Sequence, residues 1–244
     1  MFIIVKKKDL LLGSALVLSL GVYALFSLLP TSVATIAPAR AGEEHTIVID
    51  AGHGGEDGGA VSANGVIESG INLAVAQDLD MLLTLLGEDT VMTRTEDVSV
   101  YSEGAQTLRQ KKRSDLENRV ALVNGTPNAV LLSIHQNSLP KSTRTHGAQV
   151  FFGGIDGSDA LAQSVQTALN SAINDGDKEA KRISSDVFLM KNVTVPAVLV
   201  ECGFLSNPEE TAKLQQPDYQ TKLAVVIAAG FLNTQEKQGT GEGR

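Results

Sequence analysis

The chain has 244 residues, 43% of them hydrophobic and 20% charged, enough for one folded domain with flanking segments. Residues 1–41 hold four basic residues and one acid, which leaves 16 basic and 27 acidic groups in the body; such a surface is unsuited to nucleic acid, whose affinity rests on Lys and Arg meeting phosphates. A single cysteine, Cys202, excludes an internal disulfide and a Cys-rich zinc centre, and the absence of tryptophan argues against a surface of aromatic sugar-stacking platforms.

At the start of the chain, Lys6, Lys7 and Lys8 precede twenty uncharged residues, 10–29. That run is long enough to span a bilayer, with the lysines retained in the cytoplasm. Ala39-Arg40-Ala41 has the small-x-small pattern of a cleavage site. The length of the apolar run favours a retained anchor over a cleaved signal peptide. Under either reading residues 1–41 deliver the rest of the chain to the outside of the cytoplasmic membrane.

From residue 46 onward, short runs rich in Val and Ile predict strands at 46–50, 89–94, 129–134, 149–152 and 197–200. Apolar residues at three- and four-residue spacing predict helices at 71–86, 114–124 and 159–174, and a last helix at 219–232. The alternation predicts an α/β fold: a single domain with a largely parallel mixed sheet flanked by helices on both faces, preceded by an N-terminal membrane or signal helix. The expected domain occupies residues 42–234, followed by a polar, Gly-rich tail at 235–244 that should fray.

Ligands of such sheets collect beyond the carboxyl ends of the strands. The first predicted strand runs into Asp50-Ala51-Gly52-His53-Gly54-Gly55-Glu56-Asp57-Gly58-Gly59, the third into His135-Gln136-Asn137, and the last into Glu201-Cys202-Gly203. Glu68 stands just before the helix that follows the Gly-rich loop. Two histidines and a carboxylate are the inventory of a catalytic zinc site, which keeps one position open for water. Position and residue type alone leave a plainer reading equally open: a loop histidine, a buried strand-end histidine, and a solvated acid favoured by a helix dipole.

For Glu201 the plainer reading is a strand-end acid paired with Arg94 or Arg119. Asp50 and Asn137 suit either a partner for a ligating imidazole or ordinary strand-end bonding. The glycines let the backbone turn sharply and leave room beside His53, and no Gly-Lys-Ser/Thr follows to make them a phosphate loop. Cys202 is expected to pack rather than to act as a nucleophile. His45 is expected in a flexible stem and His146 at the surface. The run Lys111-Lys112-Arg113 is expected in a solvated loop, with contact to an anionic polymer as the sharper alternative.

The segments Ile49-Asp50-Ala51-Gly52-His53-Gly54-Gly55, Ser133-Ile134-His135 and Val200-Glu201-Cys202-Gly203-Phe204-Leu205-Ser206-Asn207-Pro208-Glu209-Glu210 resemble the zinc-dependent N-acetylmuramoyl-L-alanine amidases of the amidase-3 type. The likeness runs from about residue 46 to 232. The short body resembles the spore-cortex branch of that family. The resemblance implies Zn2+ as cofactor with His53, Glu68 and His135 as its ligands, and Glu201 as the catalytic acid–base. It implies hydrolysis of the amide between the lactyl group of N-acetylmuramic acid and L-alanine in peptidoglycan, outside the membrane. A wall peptidase or deacetylase would need a similar site. A non-catalytic wall-binding module would be expected to have lost Glu201 or a ligand. An extracytoplasmic regulator, and the choice among vegetative wall, septum and spore cortex, stay open at this level.

Overall fold

The computed structural model describes residues 45–239, and the apolar run at 10–29 and its flanking lysines lie outside them. Six strands form one sheet in the order β2-β1-β3-β6-β4-β5. They are β1 (Thr46–Ala51), β2 (Asp89–Met92), β3 (Ala129–Asn137), β4 (Gln149–Phe152), β5 (Lys181–Arg182) and β6 (Ala197–Phe204). β1 pairs in parallel with both β2 and β3, and β3 with β6. β4 runs antiparallel to β6, which makes the sheet mixed. The helices are α1 (Glu68–Leu85), α2 (Leu108–Gly125), α3 (Ser158–Ala172), α4 (Phe188–Asn192), α5 (Pro208–Leu214) and α6 (Pro217–Gly239).

Alternation along the central strands divides the core. Ile47 and Ile49 of β1, Leu132 and Ile134 of β3, and Val198, Val200 and Cys202 of β6 face the layer made by α1, α3 and α6. Val48, Leu131 and Leu199 face the opposite way, toward α2 and α4. Central strands covered on both faces read as nearly unbroken apolar runs, and this is why they stand out in the sequence. Each fully buried Leu or Ile contributes about 1.5–3 kcal/mol relative to exposure. By the same alternation Asp50, Ser133, His135 and Glu201 stand on the α2 face, at the carboxyl ends of the three central strands.

β3 and β6 run past their expected ends at residues 134 and 200, and the ladder carries His135 opposite Glu201. α2 begins at Leu108 rather than at 114. A capping box starts it: the Thr107 side chain accepts from the Gln110 N–H, while the Gln110 side chain accepts from the Thr107 N–H. The basic run at 111–113 therefore lies on a helix and not in a loop. β5, α4 and α5 were not foreseen; all three are too short to show a period. α6 continues to Gly239, past its expected end at Leu232.

His45 is not in a free stem. Its ring lies 5.4 Å from that of Phe231, and its Nε2 lies 3.4 Å from a Glu88 carboxylate oxygen. Among the described residues, no helix is long and apolar enough to cross a membrane.

Candidate metal centre

Three elements bring His53, Glu68 and His135 together. His53 follows β1, Glu68 opens α1 and His135 lies near the end of β3. Among the described residues these three form the one group of His, Cys, Asp or Glu side chains able to hold a metal ion, with one donor atom from each within 4.8 Å of the others. The two imidazoles meet edge to face with centroids 5.0 Å apart.

Glu68 is the hub. Its carboxylate lies 3.0 Å from His135 Nδ1 and 3.4 Å from His53 Nε2. It accepts hydrogen bonds from the backbone N–H of Ala60 at 2.7 Å, from the backbone N–H of Gln136 at 3.1 Å and from the Asn72 amide at 3.1 Å. Asn72 stands one turn along α1 and also donates to the Gly52 carbonyl at 3.1 Å. The solvated helix-start acid of the plainer reading is excluded, because Glu68 is only 3% exposed. Burial alone would raise its pKa, but the hydrogen bond from His135, the charge of both imidazoles and the Ala60 N–H hold it at about 2. It is an anion aimed at two imidazoles.

His53 Nδ1 lies 3.0 Å from Asp57 Oδ2. Asp57 thus fixes the ring, leaving Nε2 directed at Glu68, the arrangement by which ligating histidines are usually oriented. The hydrogen bond to His53 holds the Asp57 carboxyl well below the usual range, assisted by Lys112 3.1 Å away. Sequence reasoning left Asp50 and Asn137 open between this role and ordinary strand-end bonding and missed Asp57, although its place four residues after His53 was the available signal. Asp50 instead accepts from Arg119 Nη1 at 2.6 Å, Ser133 at 2.6 Å and Thr93 at 2.9 Å. Burial would raise its pKa, and Arg119, His135 and Ser133 outweigh that and bring it to about 2. Asn137 contributes its backbone carbonyl to Leu205 N–H at 2.8 Å.

Two glycines make the space. A Cβ on Gly52 would stand 2.2 Å from the His135 ring, and one on Gly59 would stand 2.5 Å from the Glu68 carboxylate and 2.7 Å from the His53 ring. Gly59 also has φ +73°, a conformation that side chains rarely adopt. The donor set and this cradle fit a zinc ion, which prefers imidazole nitrogen and carboxylate oxygen.

Glu201 stands opposite His135 on β6. Its Oε2 is buried and accepts no hydrogen bond from the described residues. Burial raises its pKa and the negative charge of Glu68 adds to this, against an opposing pull from His135, so it reaches about 7. The salt bridge of the plainer reading is absent: Arg94 is directed at backbone carbonyls, and Arg119 pairs with Asp50 and Asp115. A buried carboxyl oxygen with no hydrogen-bond partner, on a group whose pKa burial raises, can accept and return a proton.

Cys202 and His146 fall away from the centre. Cys202 is fully buried on the α1, α3 and α6 side of the sheet, and burial pushes its thiol well above the ordinary value, which makes it a poor nucleophile. His146 is exposed, with Nδ1 2.9 Å from the Arg144 carbonyl. The basic run is committed to neighbours: Lys111 pairs with Glu56, Lys112 with Asp57, and Arg113 with Glu117. A cavity of about 180 Å³ opens beside the histidines, between the strand ends and the apolar side chains Leu116, Val187, Phe188 and Leu189 of α2 and the α4 region.

Comparison with known proteins agrees with this geometry. Residues 47–233 match the family model described as N-acetylmuramoyl-L-alanine amidase, Amidase_3. The germination-specific N-acetylmuramoyl-L-alanine amidase of Bacillus subtilis (strain 168) is 38% identical over 194 residues, covering 79% of this chain and 81% of that protein. The CwlD amidase from Clostridioides difficile, solved in complex with the GerS lipoprotein, superposes with a TM-score of 0.74 at 35% identity, covering 78% of this chain and 98% of that one. An N-acetylmuramoyl-L-alanine amidase from Clostridium difficile 630 gives a TM-score of 0.68 at 30% identity, covering 78% and 95%. With its α/β fold, its three motifs and a family match over nearly all of its described residues, the chain belongs to the N-acetylmuramoyl-L-alanine amidase family, Amidase_3, and is an enzyme of that class.

Proposed function

We propose that this enzyme is a zinc hydrolase that cleaves the amide between the lactyl group of N-acetylmuramic acid and L-alanine in spore-cortex peptidoglycan. His53, Glu68 and His135 are its metal ligands and Glu201 its proton carrier. The observation that carries the reading is the convergence of three donor atoms within 4.8 Å beside the unpartnered Glu201 carboxyl. Zinc in such a site supplies Lewis-acid polarisation of a carbonyl and acidifies water. The chain's own residues do the rest. Asp57 and the Glu68 network fix the two imidazoles, so the donor set is organised before substrate arrives. Glu201, on the strand beside His135, takes a proton from the attacking water and returns it to the departing alanine amine.

The cortex assignment is supported by the germination-specific relative, and a lipoprotein partner for this chain by the solved complex with GerS. Placement outside the cytoplasmic membrane is supported by Lys6, Lys7 and Lys8 ahead of the uncharged run at 10–29, and by the polymer itself being external. The test is metal content. The full chain should retain about one zinc per molecule after gel filtration. His53→Ala and His135→Ala should lose it while keeping their secondary structure, and Glu201→Gln should keep it. Stoichiometric zinc in both histidine variants would move the site elsewhere.

A further inference from the structure

His53 is one of two non-glycine residues, among those described, with positive φ, at +62°. A histidine in the left-handed region is strained, and such a conformation persists only where its surroundings over-determine it. Here the surroundings are two buried arginines, Arg94 at 3% and Arg119 at 2% exposure. Burying a guanidinium costs free energy unless its donors are satisfied, so what those donors hold is informative.

Arg94 donates from Nη2 to the Gly52 carbonyl at 3.1 Å and from Nε to the Ala51 carbonyl at 2.9 Å. Its other contacts include the carbonyls of Ser69 and Glu96, both at 2.9 Å, and its nearest carboxylate, Asp97, is 4.0 Å away. Arg119 donates from Nη2 to the His53 carbonyl at 2.7 Å and from Nη1 to the Ala51 carbonyl at 2.8 Å. Its remaining donors are anchored on Asp50 and Asp115.

The Gly52 carbonyl belongs to the peptide plane before the His53 Cα, and the His53 carbonyl to the plane after it. The orientations of those two planes are the φ and ψ of His53. One guanidinium grips each plane, and both share the Ala51 carbonyl as a common reference.

We infer that Arg94 and Arg119 are positioning residues for metal binding, which together hold His53 in its left-handed conformation and so aim its Nε2 at the metal position. The inference rests on His53 being a zinc ligand. It also explains the use of arginine at both sites, since a lysine carries equal charge but lacks the planar fork needed to hold two carbonyls at fixed angles.

The experiment is a zinc dissociation constant for the full chain, measured by competition with a chromophoric chelator, together with the melting temperature of each metal-free protein. Arg94→Lys and Arg94→Gln should both weaken zinc binding about 10- to 100-fold, the range typical for loss of a partner that orients a metal ligand. Arg119→Lys should do the same, and Arg109→Ala, an exposed change on the same helix, should leave the constant within about twofold. Equal loss in the Lys and Gln variants of Arg94 identifies the fork; a wild-type constant in Arg94→Lys would mean that charge alone matters and would overturn the inference. Lower melting temperatures with unchanged zinc affinity would reduce both arginines to structural residues and overturn it too. If Arg119→Lys does not fold, the two Arg94 variants decide. Failure of the wild-type chain to bind zinc would instead remove the metal reading itself, and this inference with it.

Discussion

Glu201 is held in a conflict between folding and chemistry. With a pKa of about 7 in the metal-free fold against an ordinary value of 4.5, its ionisation is disfavoured by burial and by Glu68. For a carboxyl with a raised folded-state value, the stability contribution is fully present below the unfolded pKa and is lost as pH rises through the folded one. The metal-free protein should therefore lose stability between about pH 4.5 and pH 7 on account of this residue. Glu201→Gln removes the ionisation, so the metal-free variant should be the more stable at pH 8, by up to about 3 kcal/mol. The difference should vanish below about pH 4.5. Thermal melts of both chelated proteins across this range check it, and a variant no more stable than wild type at pH 8 would mean that Glu201 is paired in solution. Turnover should fall in the same variant, because an amide cannot carry the proton.

The sequence signalled the site residues unevenly. His53, Glu68 and His135 were legible as candidates from their residue types at strand and helix ends, on an even footing with plainer readings, and the proposed roles of these three and of Glu201 came from the family resemblance. The residues that organise them were not legible. Asp57 is one acid among several in a polar loop, and Arg94 and Arg119 looked like ordinary cations until their burial was visible. The importance of the two arginines comes from what they touch across 25 to 69 residues of chain, which no local pattern records.

At the scale of elements, helix α2 does more than cover the sheet. Lys112 and Arg119 lie on one side of it, seven residues apart, and reach Asp57 and the His53 carbonyl respectively. Lys112 and Arg113 are solvated, as expected, but Lys111 and Lys112 also tie the helix to Glu56 and Asp57 of the Gly-rich loop. The helix start matters for that reason. Thr107→Ala removes the capping box one turn before Lys111 and should cost about 1 kcal/mol. In a domain of this size that corresponds to about 2–4 °C in melting temperature. No measurable shift would mean that the first turn is frayed in solution and that Lys111 and Lys112 are not held by it.

The same scale shows why element boundaries were misjudged. β3 and β6 were expected to stop at their last unbroken apolar residue, but parallel pairing continues through His135 and Glu201 because the ladder needs only backbone groups. Function occupies the last pleats of the central strands, so the hydrophobic signal ended before the strands did. α2 was read as starting late because its first two turns are polar and pack against a loop rather than against the sheet.

For the molecule as a whole, the alternation of apolar runs with amphipathic stretches was sufficient to define an α/β domain with a largely parallel sheet. The antiparallel placement of β4 beside β6 was not encoded in that alternation, since it depends on how the chain returns after β3. Buried central strands, a sheet whose carboxyl ends collect three motifs, and a cavity of about 180 Å³ beside the histidines together form a site poised for hydrolysis in a cleft. The acidic body is unsuited to nucleic acid.

The central claim is that this chain cuts the lactyl–alanine amide with zinc held by His53, Glu68 and His135. Digestion of purified cortex peptidoglycan by the full chain, with the products separated chromatographically and their amino termini identified, tests it most directly. Because the proposed regulator is a lipoprotein, the digestion should be run with and without the cognate partner. The account predicts peptides that begin with a new L-alanine amino terminus alongside glycan strands bearing free muramic acid lactyl groups. Release should stop when zinc is chelated, resume on its return, and be absent for Glu201→Gln. Products cut within the stem peptide, sugars that have lost only acetyl groups, or release that persists in zinc-free protein would contradict it.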